Sequence, residues 1–206
     1  MQTTLREITA GTVRQITNLS VGPDQQRFVA SNAVSLAQAL FSPDAWYRAI
    51  YADETPAGFV MLHDESLRTE PPAHPEVALW RFMVDAHFQG RGIGTAALDQ
   101  VIAHVRSKRI FSSLLVSYVP GPGSPEGFYL RAGFAHTGKV DNGEVVLALP
   151  LALPQKVAHA PPFGRRRNPH CKRRKPADAA GSLCPQSGSA QTPGCRAGVK
   201  SARGSA

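Results

Sequence analysis

The run Gln89-Gly90-Arg91-Gly92-Ile93-Gly94 is the first place where residue type and spacing imply chemistry. Glycines at i, i+2 and i+4 leave backbone N–H groups uncovered by side chains. A helix starting there adds the unpaired amides of its first turn and the positive end of its dipole. Together these bind a pyrophosphate. Two common nucleotide loops are excluded. A P-loop requires Lys-Ser/Thr after its last glycine, and Gly94 is followed by Thr95-Ala96. A dinucleotide fingerprint has G-x-G-x-x-G in the first βαβ unit. Here the spacing is G-x-G-x-G, and three strands are expected before the strand that leads into it. A glycine turn that merely packs a helix tightly on a strand is the plainer alternative.

The elements that must position this loop are legible on both sides. Val77 to Val84 is an apolar strand-like run, and Thr95 to Val105 is helical, with Ile93, Ala97, Val101, Ile102 and Val105 on one face. Upstream, Leu5 to Ile8 reads as a short strand and Thr12 to Leu19 as a helix. A second helix, Ser31 to Leu40, places Ala33, Leu36, Ala37 and Leu40 at i, i+3, i+4 and i+7. Trp46 to Tyr51 and Gly58 to Leu62 read as paired strands around the turn Asp53-Glu54-Thr55-Pro56. Downstream come a strand, Leu114 to Tyr118, and a short helix, Glu126 to Ala132, closed by Gly133. A last hairpin turns at Asp141-Asn142-Gly143, since Asn-Gly suits a type I′ turn. The order β-α-α-β-β-β-α-β-α-β-β predicts an α/β fold with a mixed sheet and helices on its faces.

The segment Phe82 to Gly94, ending in Gln89-Gly90-Arg91-Gly92-Ile93-Gly94, resembles motif A of the GCN5-related N-acetyltransferases (GNAT), whose pattern is Q/R-x-x-G-x-G/A. Phe128-Tyr129-Leu130-Arg131-Ala132-Gly133-Phe134 resembles the downstream F-Y-x-K/R-x-G-F segment of that family, and the element order agrees. The resemblance covers about residues 3–150. It implies a mixed, mostly antiparallel central sheet of about seven strands and acetyl-CoA as co-substrate. It further implies that the backbone of Phe82, Met83 and Val84 pairs with the pantetheine arm. Gln89 and the amides of Gly90, Arg91, Gly92, Ile93, Gly94 and Thr95 would hold the pyrophosphate. Many members carry Asn seven residues before the tyrosine and Ala four before it. Here those positions are Pro122 and Pro125, so backbone rigidity must position the short helix, with Ser124 offering a hydroxyl.

In such enzymes an amine attacks the thioester directly. A Lys-like amine with a pKa of about 10.4 is almost wholly protonated at pH 7, so its proton must be taken by a base or a water chain. The departing thiolate needs a proton in return. Tyr129 is the candidate acid; its alternative is a core aromatic between Phe128 and Phe134. Glu126, three residues earlier on the same helix face, either orients the amine and accepts its proton through water, or simply complements the helix dipole. Glu76, before the central strand, is a weaker candidate. Arg81 and Trp80 are expected on opposite faces of their strand, and His87 is read as structural.

The segments Leu79 to Asp85 and Ser124 to Tyr129 look like a bacterial subgroup similar to spermine/spermidine acetyltransferases, which implies a polyamine as the small-molecule acceptor. Polycations need acids, and Asp53-Glu54, Asp64-Glu65, Glu70, Glu76 and Glu126 are available. Peptide N-termini, Lys side chains and antibiotics remain open as acceptors.

The 206 residues carry a net charge of +8, unevenly spread. Residues 1–154 hold 12 Lys+Arg against 14 Asp+Glu, while residues 155–206 hold 11 basic residues and one acid, Asp178. A catalytic domain over 1–154 and a disordered basic Pro/Gly/Arg-rich tail over 155–206 are therefore expected. Arg165-Arg166-Arg167 and Lys172-Arg173-Arg174-Lys175 suit a nucleic-acid arm, which would make the chain a binding module; the tail's Arg/Pro/Gly/Ala/Ser bias and lack of periodicity favour a non-selected extension instead. Nucleic acid is expected only through this tail. All three cysteines (Cys171, Cys184, Cys195) lie there too, spaced unlike paired zinc ligands, so no metal is expected. A cysteine-free domain without a signal-peptide pattern or an apolar run near ~20 residues suits the cytoplasm and no membrane. Assembly, including a homodimer, is left open.

Overall fold

The computed structural model describes residues 1–151; the tail expected to be disordered lies outside the described residues. The elements are β1 (Thr3–Arg6), α1 (Val13–Thr17), α2 (Asn32–Ala39), β2 (Ala45–Ala52), β3 (Thr55–Asp64), β4 (Val77–Val84), α3 (Ile93–Lys108), β5 (Ser113–Tyr118), α4 (Glu126–Arg131), β6 (Ala135–Asp141) and β7 (Glu144–Pro150). Their order is the expected one. They build a seven-stranded sheet in the order β1-β2-β3-β4-β5-β7-β6. Strands β4 and β5 run parallel and every other neighbouring pair is antiparallel.

Two apolar clusters lie on opposite faces of the sheet. Ile93, Ala97, Leu98, Val101, Ile102 and Val105 of α3 are buried against Leu79 of β4 and Leu114, Val116 and Tyr118 of β5. The expected face of this helix is thus the packed one, and each such large side chain contributes roughly 1.5–3 kcal/mol when fully buried. On the other face, Phe59, Met61 and Met83 pack with Ile16 of α1 and Leu36 and Ala39 of α2. No helix among the described residues is long and apolar enough to cross a membrane.

Three sequence expectations are corrected. First, α2 does not bury Ala33, Leu36, Ala37 and Leu40 together. It buries Asn32 and Ser35, while Leu40 is 80% exposed. The polar pair is tolerated because Asn32 donates to the Ile16 carbonyl and Ser35 to that of Ser31. Second, the β2–β3 turn is only Asp53-Glu54. Thr55 and Pro56 already belong to β3, the proline lying beside an irregularity at Ile50/Tyr51. Third, β1 ends at Arg6, before Ile8. The Asn142-Gly143 turn is as expected, with both residues at positive φ (48° and 85°).

Candidate active site

The site begins with a flaw in the sheet. Strand β4 pairs with β3 along its length, but the register jumps between Met61↔Arg81 and Leu62↔Leu79, leaving Trp80 as an extra residue. This is a β-bulge, which bends and twists the strand that carries it. Pairing of β4 with β5 stops at the same level, with Leu79↔Val116 as its last pair. Beyond it β5 continues as Ser117-Tyr118, bonded to β7 alone. The two parallel strands therefore split, and the edge of β4 from Trp80 to Val84 has no strand neighbour on the β5 side among the described residues.

The bulge also overturns the expectation that Trp80 and Arg81 face opposite sides. Trp80 packs in the cluster with α1 and α2, and Arg81 donates to Gln38 of α2 (3.2 Å). Both lie on the face away from α3, with the Arg81 guanidinium 5.3 Å from the Trp80 ring centre. Phe82 and Val84 return to the α3 face.

Of the three residues expected to offer backbone to a ligand, Phe82 and Val84 face the open edge. The Met83 carbonyl points to β3, where it would lie 2.4 Å from a Cβ on Gly58; only glycine permits that approach. The Val84 carbonyl is taken by the Gln89 side-chain amide (2.9 Å), which also reaches Gln25 (2.8 Å). Gln89 thus braces the loop between β4 and the segment before α2.

The glycine loop joins the end of β4 to α3. Gly90 and Gly92 have φ of 74° and 78°, and nothing lies within 4 Å of a Cβ built on either. Gly92 is the N-cap of α3 and brings no side chain to cap it. The first backbone bond of the helix runs from Ala96 to the Gly92 carbonyl. The amides of residues 90–95 therefore make no hydrogen bond among the described residues. Gly94 differs from the reading as a loop residue: it sits inside α3, facing Val84 and the Phe128 ring. Asp85, at the turn, accepts from Ser20 N–H, His87 N–H and the His87 ring. Burial alone would raise its carboxyl, but these bonds outweigh burial and hold it below its ordinary range. His87 is structural, as expected.

Helix α4 docks on the open stretch of β4. Phe128 stacks on Phe82 (centroids 5.7 Å) and meets Tyr129 edge-on (5.3 Å). Tyr129 is buried, touching Phe134 as well, and its hydroxyl makes no hydrogen bond among the described residues. Burial alone pushes this phenol well above its ordinary value of 10, so it is protonated at neutral pH. Glu126 pairs with His136 of β6 (3.1 Å). Burial, then the Glu126 carboxylate, pushes the Tyr118 phenol up to about 12.

Most acids expected to hold a polycation are used elsewhere. Glu54 pairs with Arg6 and Asp53 accepts from the Gln2 amide. Asp64 holds Lys108 and Ser66, and Glu65 holds Arg68 and the Glu76 amide. Glu76 precedes the paired end of β4, about 13 Å along the strand from Trp80, where the split begins. Two residues that no motif singled out stand beside the split instead: Glu144, first in β7, and Ser117, which donates to it. Arg27 is a third; it reaches the Pro122 carbonyl (2.6 Å) and ties the segment before α2 to the loop before α4. That loop carries Gly121 and Gly123 at positive φ between its prolines. No signal within one strand or loop could have revealed these contacts across the fold. No group of three or more His, Cys, Asp or Glu suited to a metal occurs among the described residues.

A split between parallel strands, opening toward free amides at a helix start, is the feature that comparison with known proteins must match. The model of the acetyltransferase (GNAT) family matches residues 16–134, more than half of the chain. This chain belongs to the GNAT family. It is an acetyl-CoA-dependent N-acetyltransferase, with acetyl-CoA as co-substrate. Relatives of this GNAT chain include the probable spermine N(1)-acetyltransferase of Bacillus subtilis subsp. natto (strain BEST195), 28% identical over 158 residues. Another is the spermine/spermidine N(1)-acetyltransferase of Bacillus subtilis (strain 168), 27% identical over 158 residues. Each alignment covers 73% of this chain and all of the relative. The fold is shared with an acetyltransferase from Thermus thermophilus (TM-score 0.56, 18% identity, 73% of this chain and 98% of the other). It is also shared with the PaiA N-acetyltransferase of Thermoplasma acidophilum in complex with coenzyme A (TM-score 0.52, 14% identity, 73% and 99%).

Proposed function

We propose that this enzyme moves the acetyl group of acetyl-CoA to a primary amine by direct attack, with Tyr129 as general acid and a polyamine such as spermidine or spermine as acceptor. One observation carries the reading: an open β4 edge running into six unpartnered amides, with an unpartnered phenol on the helix packed against that edge. Phe82 and Val84 pair with the pantetheine arm. The amides of Gly90, Arg91, Gly92, Ile93, Gly94 and Thr95 hold the pyrophosphate, with Gln89 bracing them. Tyr129 gives its proton to the thiolate. Glu126, fixed by His136, orients the amine from the α4 side.

The polyamine acceptor is supported by the two Bacillus relatives and by Glu126 and Glu144, the carboxylates left beside the split. The catalytic unit is residues 1–154, and the enzyme acts in the cytoplasm. Titration calorimetry with acetyl-CoA, followed by assays with spermidine, a peptide panel and aminoglycosides, tests the reading. Binding of acetyl-CoA with turnover of spermidine is the expected result. Turnover of other amines alone would sink the polyamine assignment, and no acetyl-CoA binding would sink the enzyme.

A further inference from the structure

The face of the split away from α3 carries chemistry that the proposed mechanism leaves unused. Glu144 opens β7, directly after the Asn142-Gly143 turn. Strand β7 is bonded to β5, so this puts Glu144 beside the free end of β5. There Ser117, on the opposite face from the buried Val116 and Tyr118, donates its hydroxyl to the carboxylate. Across the split stands Arg81 of β4. Its guanidinium bonds Gln38 and the Trp80 carbonyl, but its Nε is buried without a partner and it forms no ion pair among the described residues. It nevertheless feels the charge of Glu144, which partly offsets the cost of its burial. Asp141, the register partner of Glu144 on β6, and Lys139 two residues before it are the other charged groups at this hairpin, and both are exposed.

The co-substrate's proposed supports (the amides of residues 90–95, Phe82, Phe128 and Tyr129) belong to the α3 side of the split. An acceptor that reaches the thioester from the other side meets Glu144 and Arg81. Resting on the reading of this chain as an amine acetyltransferase, we propose that Glu144 is the catalytic carboxylate that receives the acceptor's ammonium and takes its first proton, with Ser117 and Arg81 as positioning residues. The chemistry balances. One proton passes from the ammonium to Glu144 and on to solvent. The neutral nitrogen forms the N–C bond as the C–S bond breaks. Tyr129 protonates the sulfur and regains a proton from the nitrogen, leaving an amide and a free thiol. Arg81 gives the arrangement its purpose. A lone carboxylate would stabilise the charged ammonium, whereas a guanidinium facing the same point favours the neutral amine.

The test compares wild type, Glu144→Gln, Glu144→Asp and Glu126→Gln in the full chain, with spermidine or, if it is not turned over, the best amine of the panel. For Glu144→Gln, acetyl-CoA affinity should stay within twofold, showing an intact fold. Its kcat/KM at pH 7 should fall about 10²- to 10⁴-fold, the range of a lost general base. The deficit should shrink as pH rises, because the free amine then needs no base; a merely structural role would not produce this recovery. Glu144→Asp should retain part of the activity with the wild-type pH profile. The proposal is overturned if Glu144→Gln stays within threefold of wild type, if its deficit is independent of pH, or if the pH-dependent loss follows Glu126→Gln instead. Loss of acetyl-CoA binding in both Glu144 variants would overturn it too, by making the residue structural. A wild type that binds acetyl-CoA but acetylates no amine removes the parent reading, and this one with it.

Discussion

Replacing Tyr129 by Phe separates chemistry from stability, because the structure predicts a large effect on the first and almost none on the second. The ring keeps its contacts with Phe128 and Phe134, at centroid distances of 5.3 and 5.6 Å, so packing is conserved. The hydroxyl that is lost has no hydrogen-bond partner among the described residues and belongs to a side chain only 5% exposed. That hydroxyl is not among the fully buried, unpartnered polar atoms, so Tyr129→Phe should match wild type in stability to within about 0.5 kcal/mol. At about 2–4 °C per kcal/mol for a chain of this size, Tm should stay within about 2 °C. The same hydroxyl is the proposed proton donor to the thiolate. Its removal should lower kcat about 10²- to 10⁴-fold, or roughly 3–5 kcal/mol of barrier. Acetyl-CoA binding should not change. The assays are steady-state kinetics by thiol release, calorimetry with acetyl-CoA and a thermal melt of the same preparations. A kcat within threefold of wild type would falsify the acid assignment. A Tm well below wild type would show that the hydroxyl has a partner after all. The pH dependence has a definite sign. Burial raises the folded phenol above its unfolded value, so it keeps its proton below about pH 10. Any loss of kcat between pH 7 and 9 must then come from another group.

Asp85→Asn should lower stability by about 1–2 kcal/mol at pH 7, since it weakens charge-assisted bonds from Ser20, His87 N–H and the His87 ring. The folded carboxyl is held below its ordinary range, so this contribution is fully present above about pH 4 and is lost as pH falls through the folded value. Urea midpoints of wild type and variant should therefore converge in acid; a gap that persists at pH 2 would contradict the account. Gly92→Ala places a Cβ where there is space but at φ +78°, a strain of about 1–2 kcal/mol. The loss should appear in stability if the loop holds its shape, or as roughly 5- to 30-fold weaker acetyl-CoA binding if it relaxes. Wild-type values for both would show that the loop geometry is unimportant. A chain ending at residue 154 should keep acetyl transfer, because the last described residue, Leu151, already closes the sheet by bonding the Ser112 carbonyl. An inactive truncation would place the tail in the enzyme.

The order of elements, the apolar face of α3 and the glycine loop before it were legible because each is a local property of the chain. Period, glycine spacing and turn chemistry act over a dozen residues or fewer. Tyr129 was singled out through its motif and Glu126 through its spacing from Tyr129 on one short helix. The α2 face was misread because periodicity sees only the helix itself. Asn32 and Ser35 turn inward since carbonyls of Ile16 and Ser31 satisfy them there.

What the sequence determined by itself is the mixed sheet, the glycine loop at the start of α3 and the family. What only the tertiary structure decided is the split in the sheet and which side chains stand beside it. A single extra residue, Trp80, shifts the β4 register, opens the sheet and brings Arg81 to the same face. Strand alternation predicts the opposite, because a bulge is a property of a strand pair and not of one strand. Glu144 follows Glu126 by eighteen positions, and nothing local ties it to β4. It stands beside the free end of β5 only because β7 inserts between β5 and β6, which is a decision of topology.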